Sequence, residues 1–306
     1  MKHLISLYDC SKEEIEGILN MAIKLKAENK AGIAHHHLKG KSLGMIFTKS
    51  STRTRVSFEV GMYQLGGQAL FLSANDIQLG RGESIYDTAN VLSRFLDGIM
   101  IRTYAHSDVE DLVKYGSISI INGLTDLLHP CQILADFQTI YEHKGKLEGL
   151  KLAYLGDGNN ISNSLLYGCS KMGINIAVAT PEGYECDGVV TERSIADAKK
   201  IGSDVIITND PDEAIHNADV VVTDTWVSMG QEAEKQERIK VFGNYQVSVD
   251  RMAKAKDDAI FLHCLPAYRG YEVVPEVIDG PQSVIFDEAE NRLHAQKAVM
   301  VACMAD

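Results

Sequence analysis

Residues 47–59 read FTKSSTRTRVSFE. Three hydroxyls and two arginines, at Ser51, Thr52, Arg53, Thr54 and Arg55, interrupt an apolar run, and an apolar helical pattern resumes at Val56 and Phe58. A strand running into a helix start presents free backbone N–H groups at the positive end of the helix dipole, where anions bind. The hydroxyls add donors and Arg53 adds a bidentate cation. Phosphate suits this chemistry. No G-x-x-x-x-G-K-[ST] run is present, so the segment is not a P-loop. The plain alternative is a helix cap followed by two solvated arginines.

Other candidate groups also follow apolar runs. Arg102 ends GIMIR, residues 98–102. His129 opens HPCQ, residues 129–132, just before a helix started by Pro130. The dipole there favours a neutral imidazole, whose N–H can polarise a carbonyl. LGDGNN, residues 155–160, offers Gly156 and Gly158 as half of a dinucleotide fingerprint. Ile161 stands where the third glycine belongs, and Glu182 lies where an acid would hold a ribose. A dinucleotide-binding oxidoreductase is therefore an alternative reading. DTWVSMGQE, residues 224–232, offers the Asp224 carboxylate, the Ser228 hydroxyl and a turn at Met229-Gly230, a set suited to an amino acid. Cys264 in LHCLP sits at another strand end, where a buried core cysteine is the usual alternative. Arg292 stands at the start of the last helical region. His35, His36 and His37 look like a metal cluster. Neighbouring side chains on a helix diverge and no further ligand has zinc-like spacing, so an exposed loop or helix end is expected.

These groups need elements to hold them. Apolar strand signals at 42–47, 68–72, 98–102 and 117–124 alternate with helical patterns at 53–66, 83–95 and 130–143. A polar, glycine-punctuated break follows at EHKGKLEGL. The alternation then restarts with strands at 151–157, 175–181, 203–210, 219–226 and 259–266, a helix over 160–172 and a last helix from about 287. A first helix is capped by Ser11 with Glu14 as its capping-box partner. The pattern predicts an α/β protein with two doubly wound parallel-sheet domains, divided near 140–150, whose ligands lie beyond the carboxyl ends of the strands.

The chain has 306 residues, 45% hydrophobic and 24% charged, enough for two cores. Its net charge of −12 speaks against nucleic acid or a polybasic membrane patch as partner. Six scattered cysteines without a C-x-x-C pair fit a reducing compartment. With no secretory pattern at its start and no apolar run of spanning length, a cytoplasmic protein is expected.

SSTRTRVSFE, HPCQ, DTWVSMGQE and FLHCLP occur in this order over nearly the whole chain. In this the sequence resembles the aspartate/ornithine carbamoyltransferase family; the S-M-G turn and the HCLP segment are similar to its ornithine branch. The resemblance implies a carbamoyl-phosphate-binding domain over 1–143, an ornithine-binding domain over 144–289, and a terminal helix, about 290–306, packing back on the first. It implies transfer of a carbamoyl group from carbamoyl phosphate to the δ-amine of L-ornithine in arginine biosynthesis, without cofactor or metal, by a homotrimer with shared sites. Transferases acting on putrescine or acetylornithine are the nearest alternatives. Carried over by position, Ser51, Thr52, Arg53, Thr54, Gln78, Arg102, His129 and Gln132 would hold carbamoyl phosphate, with Gln78 reaching a neighbouring subunit's site. Asn160, Asp224, Ser228, Met229, Cys264, Leu265 and Arg292 would hold ornithine or line the reacting centre, with Cys264, Arg102, His129 and Asp224 carrying the chemistry.

Overall fold

A computed structural model describes residues 1–306 apart from Gly80, Arg81, Met229 and Asp306. Two compact units emerge. The first comprises Met1–Gln138 and Ala289–Asp306, the second Thr139–Glu288.

In the first unit, strands β1 (Ser42–Phe47), β2 (Gln68–Ser73), β3 (Gly98–Arg102) and β4 (Ser119–Leu124) form a parallel sheet in the order β2-β1-β3-β4. Strands β1, β3 and β4 are near-continuous buried runs, whereas edge strand β2 is half exposed. Helices α1 (Lys12–Lys30), α2 (Thr52–Gln64), α3 (Ile85–Leu92) and α4 (His106–Tyr115) connect and flank them. The capping box at α1 forms as predicted: Glu14 N–H donates to Ser11 Oγ, and Ser11 N–H to Glu14 Oε2. Helix α5 (Pro130–Lys144) carries the chain onward, and α12 (Ile285–Met304) brings it back. Gly61 of α2 is what lets α12 settle there. A Cβ at that position would lie 2.8 Å from Met300 Cε and 3.2 Å from Lys297 Cγ.

In the second unit, β5 (Lys151–Leu155), β6 (Asn175–Ala179), β7 (Val205–Thr208), β8 (Val220–Thr223) and β9 (Ile260–Leu262) form a parallel sheet ordered β7-β6-β5-β8-β9. Helices α6 (Asn160–Met172), α7 (Gly188–Ile201), α8 (Pro211–Ile215), α9 (Lys235–Phe242), α10 (Val249–Met252) and α11 (Pro275–Ile278) complete it. No helix among the described residues is long and apolar enough to cross a membrane.

Register decides where the loops gather. Phe47 pairs with Arg102 across β1 and β3, and Arg102 with Leu124 across β3 and β4. The segments following those residues therefore start from one edge of the sheet. In the second sheet Leu155 pairs with Thr223, and Val222 with Leu262, which aligns the segments starting at Gly156, Asp224 and His263 in the same way.

Candidate functional site

At the carboxyl edge of the first sheet, Ser51 caps α2, its Oγ accepting from Thr54 N–H at 3.2 Å. Thr54 is buried and its Oγ1 accepts from Arg292 Nη2 at 3.2 Å. Arg292 Nη1 donates to Gln132 Oε1 at 2.6 Å, and Gln132 Nε2 donates to Asp136 Oδ1 at 2.8 Å. The Asp136 contact fixes which end of the Gln132 amide faces the guanidinium. From the far side, the Gln296 amide, in the orientation that satisfies both its ends, accepts from Arg292 Nε (3.1 Å) and Nη2 (2.8 Å) and donates to Ser57 Oγ. All five side chains from Thr54 to Gln296 in this chain of contacts are buried. A planar guanidinium held on three sides cannot rotate away from its direction of action.

His129 is fully buried beside this group. Burial first, then the Arg292 and Arg102 guanidinia, hold its pKa well below the ordinary histidine value. The imidazole is neutral, as the sequence predicts, but the causes are desolvation and two cations rather than the helix dipole alone. The neighbouring Cys131 thiol is pushed up to about 12 by burial and donates to Asn122 O, an inert arrangement. Lys49, one residue of the opening segment that sequence reasoning did not single out, is also buried here. Its ammonium donates to Asp126 and lies 4.2 Å from the Tyr104 ring centroid.

At the carboxyl edge of the second sheet, three neighbouring strands end in three interacting side chains. Asn159 follows β5, Asp224 follows β8 and Cys264 follows β9. Cys264 Sγ donates to Asp224 Oδ1 at 3.1 Å, and Asn159 Nδ2 donates to Asp224 Oδ2 at 2.9 Å. Leu265 takes a left-handed backbone, φ 58°, strained for a branched side chain. Its N–H donates to His263 Nδ1 at 2.9 Å, which puts the ring proton on Nε2, facing Glu272 Oε1 at 3.2 Å. His263 and Glu272 are both buried. The loop after β8 is held from behind. Arg238 of α9 donates to Trp226 O at 2.9 Å and pairs with Asp157 at 2.8 Å. Burial of Asp157 raises its pKa against the pull of Arg238. Ligand atoms of Asp224, His263 and Cys264 lie within 4.8 Å of one another. Both ring nitrogens of His263 are already hydrogen-bonded, so this group does not have the free donor set of a metal site.

Residues 2–142 match the family model described as aspartate/ornithine carbamoyltransferase, carbamoyl-P binding domain. Residues 148–303 match its Asp/Orn binding domain. The chain belongs to the aspartate/ornithine carbamoyltransferase family. The ornithine carbamoyltransferase of Caldicellulosiruptor saccharolyticus is 63% identical over 301 residues, 98% of this chain and 98% of that protein. That of Carboxydothermus hydrogenoformans is 59% identical over 299 residues, 98% and 96% of the two chains. The solved ornithine carbamoyltransferase of Pyrococcus furiosus superposes with a TM-score of 0.96 at 53% identity, covering 99% of this chain and 97% of that one.

Of the positions that resemble this carbamoyltransferase family, Thr54, Gln132 and Arg292 form one bonded group, and Asp224 and Cys264 a second. Within the first unit Arg292 is bonded to Thr54, Gln132 and Gln296. Thr52, Arg53 and Gln78 are exposed, Ser51 and Asn160 partly so, and Ser228 N–H donates to Gln231 Oε1. Met229 lies outside the described residues.

One expectation changes, and one alternative loses its support. His35 is buried rather than exposed, because Lys297 and Glu28 give its ring polar neighbours, at 3.2 Å from each. His36 and His37 remain exposed. The glycine run is not laid out for a dinucleotide either. A Cβ on Gly158 would stand 2.2 Å from the Glu185 carbonyl, so this glycine accommodates the chain's own backbone where a pyrophosphate would need access. Asn159, Gln296, Asp136 and Arg238 were missed by sequence reasoning. A cap-forming asparagine beside a strand end was the only local signal among them.

Proposed function

We propose that the protein transfers the carbamoyl group of carbamoyl phosphate to the δ-amine of L-ornithine, giving L-citrulline and phosphate. The observation that carries the choice of ornithine is the 63% identity, across 98% of both chains, to a protein named ornithine carbamoyltransferase. The site geometry supports it. Ser51, Thr52, Arg53 and Thr54, at the N-terminus of α2, hold the phosphate, with Arg102 and the neutral His129 donating to the carbonyl oxygen. Gln132, fixed by Arg292 and Asp136, completes the carbamoyl pocket. In the second unit Asn160, Asp224, Ser228 and Met229 hold the α-amine and α-carboxylate of ornithine, and Cys264 and Leu265 line the reacting end.

The amine nitrogen forms a bond to the carbonyl carbon, the bond from that carbon to the phosphate oxygen breaks, and the amine loses a proton. Donors preset around the carbonyl and phosphate oxygens stabilise the charge that develops there. A free alkylammonium has a pKa of about 10.4, so at pH 7.4 roughly one in a thousand is neutral, about 4 kcal/mol against attack. Nearby guanidinia and desolvation lower that pKa. Cys264 and Asp224 form the path by which the proton leaves. The leaving group is already activated, so neither a metal nor an organic cofactor enters this reading.

The wider reading is a cytoplasmic homotrimer serving arginine biosynthesis, with Gln78 reaching a neighbouring copy's site. Turnover of carbamoyl phosphate with ornithine, putrescine, acetylornithine and aspartate, followed by citrulline colour and phosphate release, tests the substrate. Preference for any amine but ornithine overturns it. Sedimentation of the purified protein tests the trimer.

A further inference from the structure

We propose that Asn159 is a positioning residue for Asp224: it uses its amide oxygen to cap α6 and its amide nitrogen to hold one carboxylate oxygen, so that the other is presented to Cys264. This rests on the proposed role of Asp224 in handling the amine.

Asn159 Oδ1 accepts from Ile161 N–H at 2.9 Å and Ser162 N–H at 3.3 Å. Those two bonds commit the oxygen to the helix and so decide where the nitrogen points. Nδ2 donates to Asp224 Oδ2 at 2.9 Å, and Oδ1 of the same carboxylate accepts from Cys264 Sγ at 3.1 Å. The sheet brings the three together, since β5 and β8 are neighbours paired at Leu155 and Thr223, and Thr223 Oγ1 also donates to Leu155 O. As helix caps alone, Asn, Asp and Ser are nearly equivalent. Asn caps with its oxygen and donates from a separate nitrogen, ionised Asp cannot donate, and Ser must do both through one hydroxyl that is a bond shorter. A carboxylate facing the cap discriminates among residues that the helix does not.

The charged and titratable groups around Asp224 make its orientation matter. Tyr154, Asp157, His263 and Cys264 face it, with Arg238 pairing with Asp157. Among these, Asn159 supplies a neutral donor that constrains the carboxylate without changing its charge.

Two variants separate capping from positioning. Asn159→Ser keeps the cap and replaces the amide donor that reaches Asp224 by a hydroxyl one bond shorter. It should leave the melting temperature and the affinity for carbamoyl phosphate unchanged, while kcat/KM for ornithine falls about tenfold to a hundredfold, the loss expected for one charge-assisted hydrogen bond. Asn159→Asp keeps the cap and sets a second carboxylate against Asp224. The pair then shares a proton, so the acid limb of the ornithine pH profile moves to higher pH. The same variant should move the pH dependence of Cys264 alkylation by iodoacetamide upward, read by mass spectrometry; the other five cysteines are buried. Wild-type ornithine kinetics in the Ser variant overturn the proposal, as does an Asp variant whose alkylation curve superposes on wild type. Parallel loss of melting temperature and of function with both substrates also overturns it, because that is a cap and nothing more. If the wild-type protein does not use ornithine, the functional reading fails, and the alkylation shift still decides the role of Asn159.

Discussion

Cys264 Sγ donates to Asp224 Oδ1 at 3.1 Å, joining the ends of two adjacent parallel strands. A thiol directed at a carboxylate has somewhere to send a proton and somewhere to receive one from. Replacing Cys264 by Ala is expected to lower kcat for ornithine about a hundredfold or more, the usual scale for losing a general base. It should also change the pH dependence of kcat. Carbamoyl phosphate affinity, measured by calorimetry, should stay as in wild type if the residues proposed to hold it, none of which is Cys264, carry that binding. A pH profile that superposes on wild type would remove Cys264 from proton transfer.

Arg53 presents a different case, because it is exposed on the first turn of α2 while Arg102 and Arg292 are buried. An exposed side chain contributes little to folding. Arg53→Gly should therefore cost no more than about 1 kcal/mol, the helix-propensity penalty of glycine. Carbamoyl transfer should nevertheless become undetectable if this guanidinium grips the phosphate. A near-normal rate would overturn that assignment, and a large drop in melting temperature would show that Arg53 holds the fold instead.

The positions of the strands along the chain, and so of the loops that follow them, were legible because parallel sheets need apolar runs, and apolar runs are visible in a sequence; the order of the strands within each sheet was not. SLGMIF and GIMIR became β1 and β3 without change. Helix α4 was not legible: Ala105 makes no side-chain cap and the helix spans ten residues. Helix α7 had ordinary signals, Asp187 as cap and Gly202 in the left-handed region, and a reading led by strands passes over it. Side chains that act through another side chain were the least visible. Gln296 bonds Arg292 one helical turn away, a spacing shared by many innocent pairs, and Arg238 meets Asp157 across 81 residues. Nothing in the local chain marks such partners. Only the folded register brings them together.

Arg238 and Asp157 offer a stability test. Both are buried, and the guanidinium also holds Trp226 O. Arg238→Ala removes one partner and leaves a buried carboxylate that burial already pushes upward in pKa. The expected loss is about 3–5 kcal/mol, seen in urea unfolding of the protein at neutral pH. Asp157→Asn in the Arg238→Ala background removes the orphaned charge and should recover part of that loss. No recovery would mean that the Trp226 contact, not the ion pair, carries the energy.

Lys297 is fully buried on α12, donating to Gln64 Oε1 at 2.8 Å and lying 3.2 Å from His35 Nε2. Burial lowers its pKa to about 8, against the raising influence of Glu28. In the unfolded chain the value is about 10.4. Between these two values the unfolded state carries a proton that the folded state has released, so this group makes stability rise with pH through that window. Below pH 8 both states are protonated and the contribution is flat. In Lys297→Met the titrating group is gone. The difference in unfolding free energy, wild type minus variant, should therefore be constant up to about pH 7.5 and then climb toward pH 10. Its slope should approach about 1.4 kcal/mol per pH unit. Urea unfolding of both proteins at a series of pH values reads this directly. A difference that stays level across the window would place the Lys297 ammonium in an environment that tolerates its charge as water does.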